Sequence, residues 1–129
     1  MTELWRDDFY RVLREPALVR LVRTATPYPS LQRMDASNQA LAAALRSSGG
    51  RRVLLDLRAG PPGRNDEAYE RASADARAAL AANFERVAVV VRSVAGKLQV
   101  QRLSKSEQRG GQSAVFLDEA AALAYLSAD

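Results

Sequence analysis

Five polar side chains in this sequence lie where they could bind an anion. They are Arg58, Arg64, Arg92, Ser93 and Lys97. Arg58 and Arg92 each come directly after an apolar run that predicts a buried strand, and Lys97 lies at the start of a predicted helix. Guanidinium groups and helix N-termini both bind phosphate or carboxylate, so we predict an anion- or partner-binding site at the carboxyl ends of neighbouring strands. The alternative is that Asp56 or Asp66 pairs with these arginines.

The composition removes most catalytic chemistry. The chain of 129 residues contains neither cysteine nor histidine. Serine or cysteine triads, the common zinc sites and histidine phosphotransfer are therefore excluded. The other acid or base groups show no spacing of a known catalytic pair; they are Asp56, Asp66, Glu67, Tyr69 and Lys97. We predict a protein that is not an enzyme and that uses no metal or cofactor.

Charge and hydropathy bear on location and partners. The sequence contains no long apolar run, so we expect neither a signal peptide nor a membrane span, and a cytoplasmic location. A net charge of +4 and a pI near 10.0 would permit nucleic-acid binding. The basic residues, however, are spread over every predicted element with few aromatic residues among them, so nucleic acid is not an expected partner.

Hydropathy patterns predict five strands and four helices in the order ββαβαβαβα. The strands cover 8–14, 17–25, 51–57, 86–93 and 113–117, and the helices cover 31–46, 65–84, 95–107 and 118–128. Pro16 separates the first two strands and indicates a hairpin, because proline cannot donate a ladder hydrogen bond. Arg11, Arg20 and Arg23 on this hairpin are interpreted as a solvent-exposed face.

The alternation of strands and helices predicts βαβ crossovers and a single α/β domain over 1–129, with a mixed, mostly parallel sheet. The runs VLLDL and VAVVV are apolar at both parities, which is typical of strands covered on both faces. Four helices cannot fully cover five strands, so we predict a homodimer that hides the remaining apolar face. Alternatively, the opening segment with Trp5 folds across that face within one chain.

Two features bear on ligand binding at the second helix. Ala68, Ala72, Ala76 and Leu80 recur every four residues, which predicts a helix that packs closely and leaves little room for a cavity. In the loop before this helix, residues 60–63 read GPPG. Its two prolines lack N–H donors, so we predict a stiff connector that does not bind phosphate through its backbone.

The element order, with VLLDLR before a long helix, RVAVVVRS as the next strand and AVFLDEAAALAYL at the end, resembles the SpoIIAA-like or STAS superfamily. The resemblance covers nearly the whole chain. It implies a bacterial regulatory or protein-interaction module without enzymatic activity, because the superfamily includes anti-sigma-factor antagonists and sulfate-transporter tails. An architectural relation to CRAL-TRIO lipid-transfer modules implies the alternative, a carrier of a small ligand or lipid.

In the anti-sigma-factor antagonists, a partner kinase phosphorylates a serine at the start of the helix that follows the third strand. The corresponding stretch here is RAGPPGRNDEAYE, and no serine or threonine lies between Asp56 and Ser73. Ser73 itself falls about two turns inside the predicted helix. The resemblance therefore implies a module that lacks the phosphorylatable switch residue.

Overall fold

The computed structural model describes residues 1–61, 66–98 and 113–128. The strands are β1 (Thr2–Arg6), β2 (Tyr10–Arg14), β3 (Val19–Arg23), β4 (Arg52–Asp56), β5 (Arg86–Val90) and β6 (Ser113–Phe116). The helices are α1 (Leu31–Arg46), α2 (Glu67–Asn83), α3, described over 94–98, and α4 (Glu119–Ser127). The predicted continuation of α3 to residue 107 lies outside the described residues. Within the described ranges, no helix has both the length and the apolarity that crossing a membrane requires.

The six strands form one sheet in which their spatial order is their chain order. Strands β1, β2 and β3 are antiparallel neighbours, while β3, β4, β5 and β6 run parallel. The predicted α/β class, mixed sheet and hairpin are confirmed. The third and fourth predicted strands, now β4 and β5, are adjacent and parallel, with Val53 opposite Val87.

The strand count was wrong because the opening segment forms a strand that the sequence pattern did not predict. Strand β1 pairs with β2 at the edge of the sheet and does not fold across a face. A bulge between Glu3 and Trp5 interrupts the register, so alternation of apolar and polar residues is lost over this short strand. Trp5 packs against the core, whereas Leu4 is exposed.

The helices cover both faces of the sheet, and the handedness of the crossover connections places α1 and α2 on the same face. When successive parallel strands are added on the same side of the sheet, right-handed crossovers place all the connecting helices on one face. Leu41 of α1 and Leu80 of α2 accordingly join one buried cluster with Leu55 of β4. The final helix, α4, packs on the opposite face, where Ala122 joins a second cluster with Leu54.

This arrangement covers both sides of the central strands within one chain. Leu54 and Leu55 point to opposite faces of β4, and both are buried. The exposed apolar face from which a homodimer was predicted is therefore covered by α4. Self-association remains a prediction, but its physical reason has to come from elsewhere on the molecule.

Helix α4 is attached at both ends. Asp118 caps its start, as predicted, and accepts a hydrogen bond from the Ala120 N–H at 3.1 Å. At its C-terminal end the guanidinium of Arg86 donates to the carbonyls of Tyr125 and Ala128, at 2.8 and 2.6 Å. Arg52 donates to the carbonyls of Leu126 and Ala128. Cations at this end also oppose the negative end of the helix dipole.

Candidate functional site

A cleft of about 1150 Å³ lies between α1 and α2 above the sheet. Its floor is apolar and comes from strands and the residues that follow them; it includes Leu21, Leu55, Leu57 and Val91. Met34 and Leu41 of α1 contribute to one wall. Sites for small organic molecules occupy roughly 300–1,000 Å³, so this cleft has room for such a ligand.

The alanine stripe of α2 contributes to the opposite wall, which corrects the prediction that it leaves little room for a cavity. Ala68, Ala72 and Ala76 all line the cleft. Leu80, near the C-terminal end of α2, is the only residue buried along this fully described helix. The cleft therefore lies beside the N-terminal part of α2, where the helix buries no residue.

The cleft extends to the carboxyl ends of three parallel strands. Arg23 ends β3, Leu57 follows β4, and Arg92 with Ser93 follows β5; all four line the cleft. In open α/β sheets, ligands bind in the crevice outside the carboxyl ends of the strands. The cleft therefore lies at the carboxyl ends of neighbouring strands, where the sequence predicts a binding site.

The structure divides the predicted anion-binding residues between two places. Arg92 and Ser93 line the cleft. The Ser93 hydroxyl accepts a hydrogen bond from the Gly96 N–H at 3.1 Å, and Lys97 follows in the first turns of α3. Arg64 lies outside the described residues. In the loop before it, the Gly60 N–H donates to the Leu57 carbonyl at 3.1 Å and is thus already engaged within the chain.

Arg58 belongs to the opposite face of the sheet. Its Nε and Nη2 donate to the two carboxylate oxygens of Asp56, each at 2.9 Å, and Nη2 also donates to Glu119 at 2.9 Å. Burial raises the pKa of the Asp56 carboxyl, but hydrogen bonds from the Arg58 side chain and N–H outweigh it and lower the pKa overall. Arg58 thus links β4 to the start of α4. For this residue, the alternative that Asp56 pairs with the arginine is the one observed.

The side chain that sequence reasoning missed is Arg23. It was interpreted as part of a solvated face, which was wrong, because only 6% of the residue is exposed. Its Nη1 donates to the carbonyls of Thr24 and Thr26, both at 2.8 Å. The alternation of strand residues contains a signal for this burial: Arg23 has the same parity in β3 as the buried Val19 and Leu21.

Three aromatic rings surround the Arg23 guanidinium. Its Cζ lies 4.4 Å from the ring centre of Tyr28, 5.6 Å from that of Tyr10 and 5.8 Å from that of Phe9, all within cation–π range. The Tyr28 hydroxyl donates to the Tyr10 hydroxyl at 3.1 Å. Burial raises the pKa of Tyr28, so its phenol stays protonated at neutral pH. We call these four residues the Arg23 cluster.

The Arg23 cluster contains a cation without a matching anion. Within the described parts of the chain, no carboxylate forms an ion pair with Arg23. Its three hydrogen bonds to described residues all use Nη1, which leaves the donors on Nε and Nη2. A second unused polar atom, the buried Oδ1 of Asn38, lies in a side chain that lines the same cleft.

No metal-binding arrangement was found among the described residues: they include no group of three or more histidine, cysteine, aspartate or glutamate side chains placed to hold an ion. Comparison with known proteins gives no relative either. No protein-family model, curated protein or solved structure matches this chain. The cleft and the resemblance in element order are therefore the features that bear on function.

Proposed function

We propose that this chain is a non-enzymatic regulatory module of SpoIIAA-like type that binds a small ligand in the cleft between α1 and α2. The observation that carries the proposal is the cleft itself, with its volume of about 1150 Å³ and its apolar floor. Of the two functions that the resemblance implies, this feature favours ligand binding over an interaction through the surface alone.

The walls of the cleft support binding of a partly apolar molecule. Leu57 and Ala76 line it and are only partly buried, so water contacts apolar surface there. Transfer of such surface from water to a ligand is favourable by about 25 cal/mol per Å². One end of the cleft lies at the Arg23 cluster, whose buried guanidinium would orient the ligand.

The way in which α2 packs supports a regulatory role. This helix buries only Leu80, and its alanine stripe faces the open cleft. A ligand that fills the space beneath Ala72 and Ala76 would add the contacts that α2 lacks in the empty protein. Ligand binding would thereby favour one position of α2, which is a change that a protein partner can recognise.

Titration with N-phenyl-1-naphthylamine, an uncharged apolar fluorophore, tests the proposal. We expect saturable binding of one probe to the native chain. Ala76→Phe places a ring in the cleft and should weaken binding by at least about tenfold, or ~1.4 kcal/mol. Ala82→Phe is the matched control, because Ala82 is exposed on the same helix and does not line the cleft. Absence of binding, or equal affinity in all three proteins, would refute the proposed function.

A further inference from the structure

Arg23 carries a charge in a place where a charge is costly. A buried ion requires pairing and hydrogen bonds to offset the loss of its hydration. Aromatic rings lie within cation–π range of this guanidinium, and carbonyl oxygens accept hydrogen bonds from its Nη1. Neither provides a negative charge, and no carboxylate of the described residues pairs with it. An anion in the cleft would supply what the protein does not.

The neighbours of Arg23 hold its side chain in one orientation. Nη1 donates to three carbonyl groups, and Cζ lies 4.4 Å from the centre of the Tyr28 ring. Gly60 packs on the aliphatic stem: a Cβ added there would lie 3.1 Å from Cγ of Arg23 and 3.3 Å from the Leu57 carbonyl oxygen. The remaining Nε and Nη2 donors form one edge of the guanidinium, which is the fork that binds two oxygens of one anion.

The rest of the cleft selects the remainder of the ligand. Away from Arg23 the floor continues through Leu21, Leu55 and Leu57, and the α2 wall combines the alanine stripe with polar residues such as Arg71 and Asp75 at its sides. One buried cation at the end of an apolar surface matches a molecule with one anionic end and an apolar body.

We propose that the ligand is a single-chain anionic amphiphile, with its carboxylate or phosphate head on the Nε and Nη2 edge of Arg23 and its apolar chain along the leucine floor. This inference rests on the proposed function, because it needs an accessible cleft. Arg23 is then the residue that determines the head-group specificity of the module.

The test compares three ligands that share a twelve-carbon chain: dodecanoate, dodecyl phosphate and uncharged dodecanol, measured by displacement of N-phenyl-1-naphthylamine at about pH 8, where the carboxylate is ionised. We expect at least one anion to bind about ten- to a hundredfold more tightly than dodecanol, as one or two charge-assisted hydrogen bonds provide. The preferred anion identifies the head group as carboxylate or phosphate. Arg23→Met should abolish the preference, whereas Arg51→Met, which removes a cation at an exposed residue outside the cleft, should retain it.

The outcomes separate this inference from the proposed function. Equal affinity for dodecanol and both anions, or a preference that persists in Arg23→Met, overturns the head-group inference and leaves the cleft as a binding site. Failure of all three ligands and of the probe refutes both. If Arg23→Met does not fold, the Arg23 Nε–H resonance of the native protein decides the matter: it should shift with a bound anion and not with dodecanol, and an unchanged resonance overturns the inference.

Discussion

The two faces of the sheet use the same kinds of residue to different ends. On the α4 face, Leu54, Ala88 and Val90 of the sheet contact Ala122 and Leu126 of the helix in one closed cluster. On the α1–α2 face, Leu55 of β4 and Leu21 of β3 border a cleft of about 1150 Å³. Both faces contain alanine-rich helices, so the composition of the helix alone does not determine whether a cavity forms.

The difference lies in how each helix is attached. Helix α4 is short, but Arg52 and Arg86 hold its C-terminal carbonyls, and Glu119 at its start pairs with Arg20 and Arg58. These contacts hold the small side chain of Ala122 against the sheet, where its exposure is 0%. Helix α2 is longer and buries only Leu80. Alanine permits a helix to pack closely on the sheet, but contacts made by other residues are needed to hold the helix there.

We expect the largest difference in stability between the two faces when Leu54→Ala is compared with Leu55→Ala. These neighbours on β4 point in opposite directions, and Leu54 is 0% exposed in the closed cluster. Truncation of a buried leucine costs about 2–5 kcal/mol, and more where the surroundings are densely packed. We expect Leu54→Ala near the upper end of that range and Leu55→Ala, which lines the cleft, near the lower end. Urea denaturation of both variants measures the free energy of unfolding.

Each variant serves as the control for the other, because both remove the same atoms from the same strand. A loss of stability that is equal, or larger for Leu55→Ala, would mean that the α1–α2 face is packed as tightly as the α4 face. The cleft would then not be open space in solution.

Local sequence signals predicted the elements well. Helix α1 was predicted at its observed bounds, because Leu41 and Leu45 recur at helical spacing and the Ser47–Gly50 stretch ends the pattern. Within this stretch Gly49 adopts a positive φ of 76°, a conformation that glycine tolerates. The cap of α4 at Asp118 was equally local. Such signals depend only on neighbours in the chain.

The missed features depend on contacts between distant parts of the chain. The rings of Phe9 and Tyr28 enclose the Arg23 side chain. The charges along a single strand do not reveal this enclosure. Arg58 follows a strand as expected, yet Glu119, 61 residues away, helps to direct it to the α4 face. The predicted site and the cleft therefore share one edge of the sheet, and of the predicted residues Arg92 and Ser93 line the cleft.

Substitution of an alanine by leucine should change the stability less, and with opposite signs on the two faces. Ala122→Leu inserts methylene groups into the closed cluster and should destabilise the fold by about 1–3 kcal/mol. Ala76→Leu extends a side chain into the cleft and should be neutral or stabilising by up to about 1.5 kcal/mol, since it buries apolar surface without displacing neighbours. Alanine and leucine have similar helix propensities, so the comparison isolates packing. Thermal denaturation of both variants provides the measurement, and destabilisation by Ala76→Leu of more than about 1 kcal/mol would contradict the open cleft.

The smallest effect concerns the ion pairs that belong to the α4 face alone. The pKa of Asp56 is lowered in the folded protein, because hydrogen bonds from Arg58 outweigh the effect of burial. A lowered carboxyl pKa adds stability above the unfolded-state pKa of about 3.9, and this contribution is lost as the pH falls through the folded-state pKa. Because the pair is partly exposed and screened, we expect its contribution to be about 1 kcal/mol or less.

Asp56→Asn should therefore lower the free energy of unfolding slightly at pH near 7 and make its decrease at pH below about 4 shallower than in the native protein. Asp35→Asn is the control, since Asp35 lies exposed on α1 and takes no part in the ion pairs of the α4 face. Urea denaturation at several pH values measures both slopes. If Asp56→Asn loses stability on acidification in parallel with both the native chain and Asp35→Asn, the Arg58 link does not stabilise α4. The closed packing of that face would then depend on its apolar cluster and on the arginines at the C-terminal end of the helix.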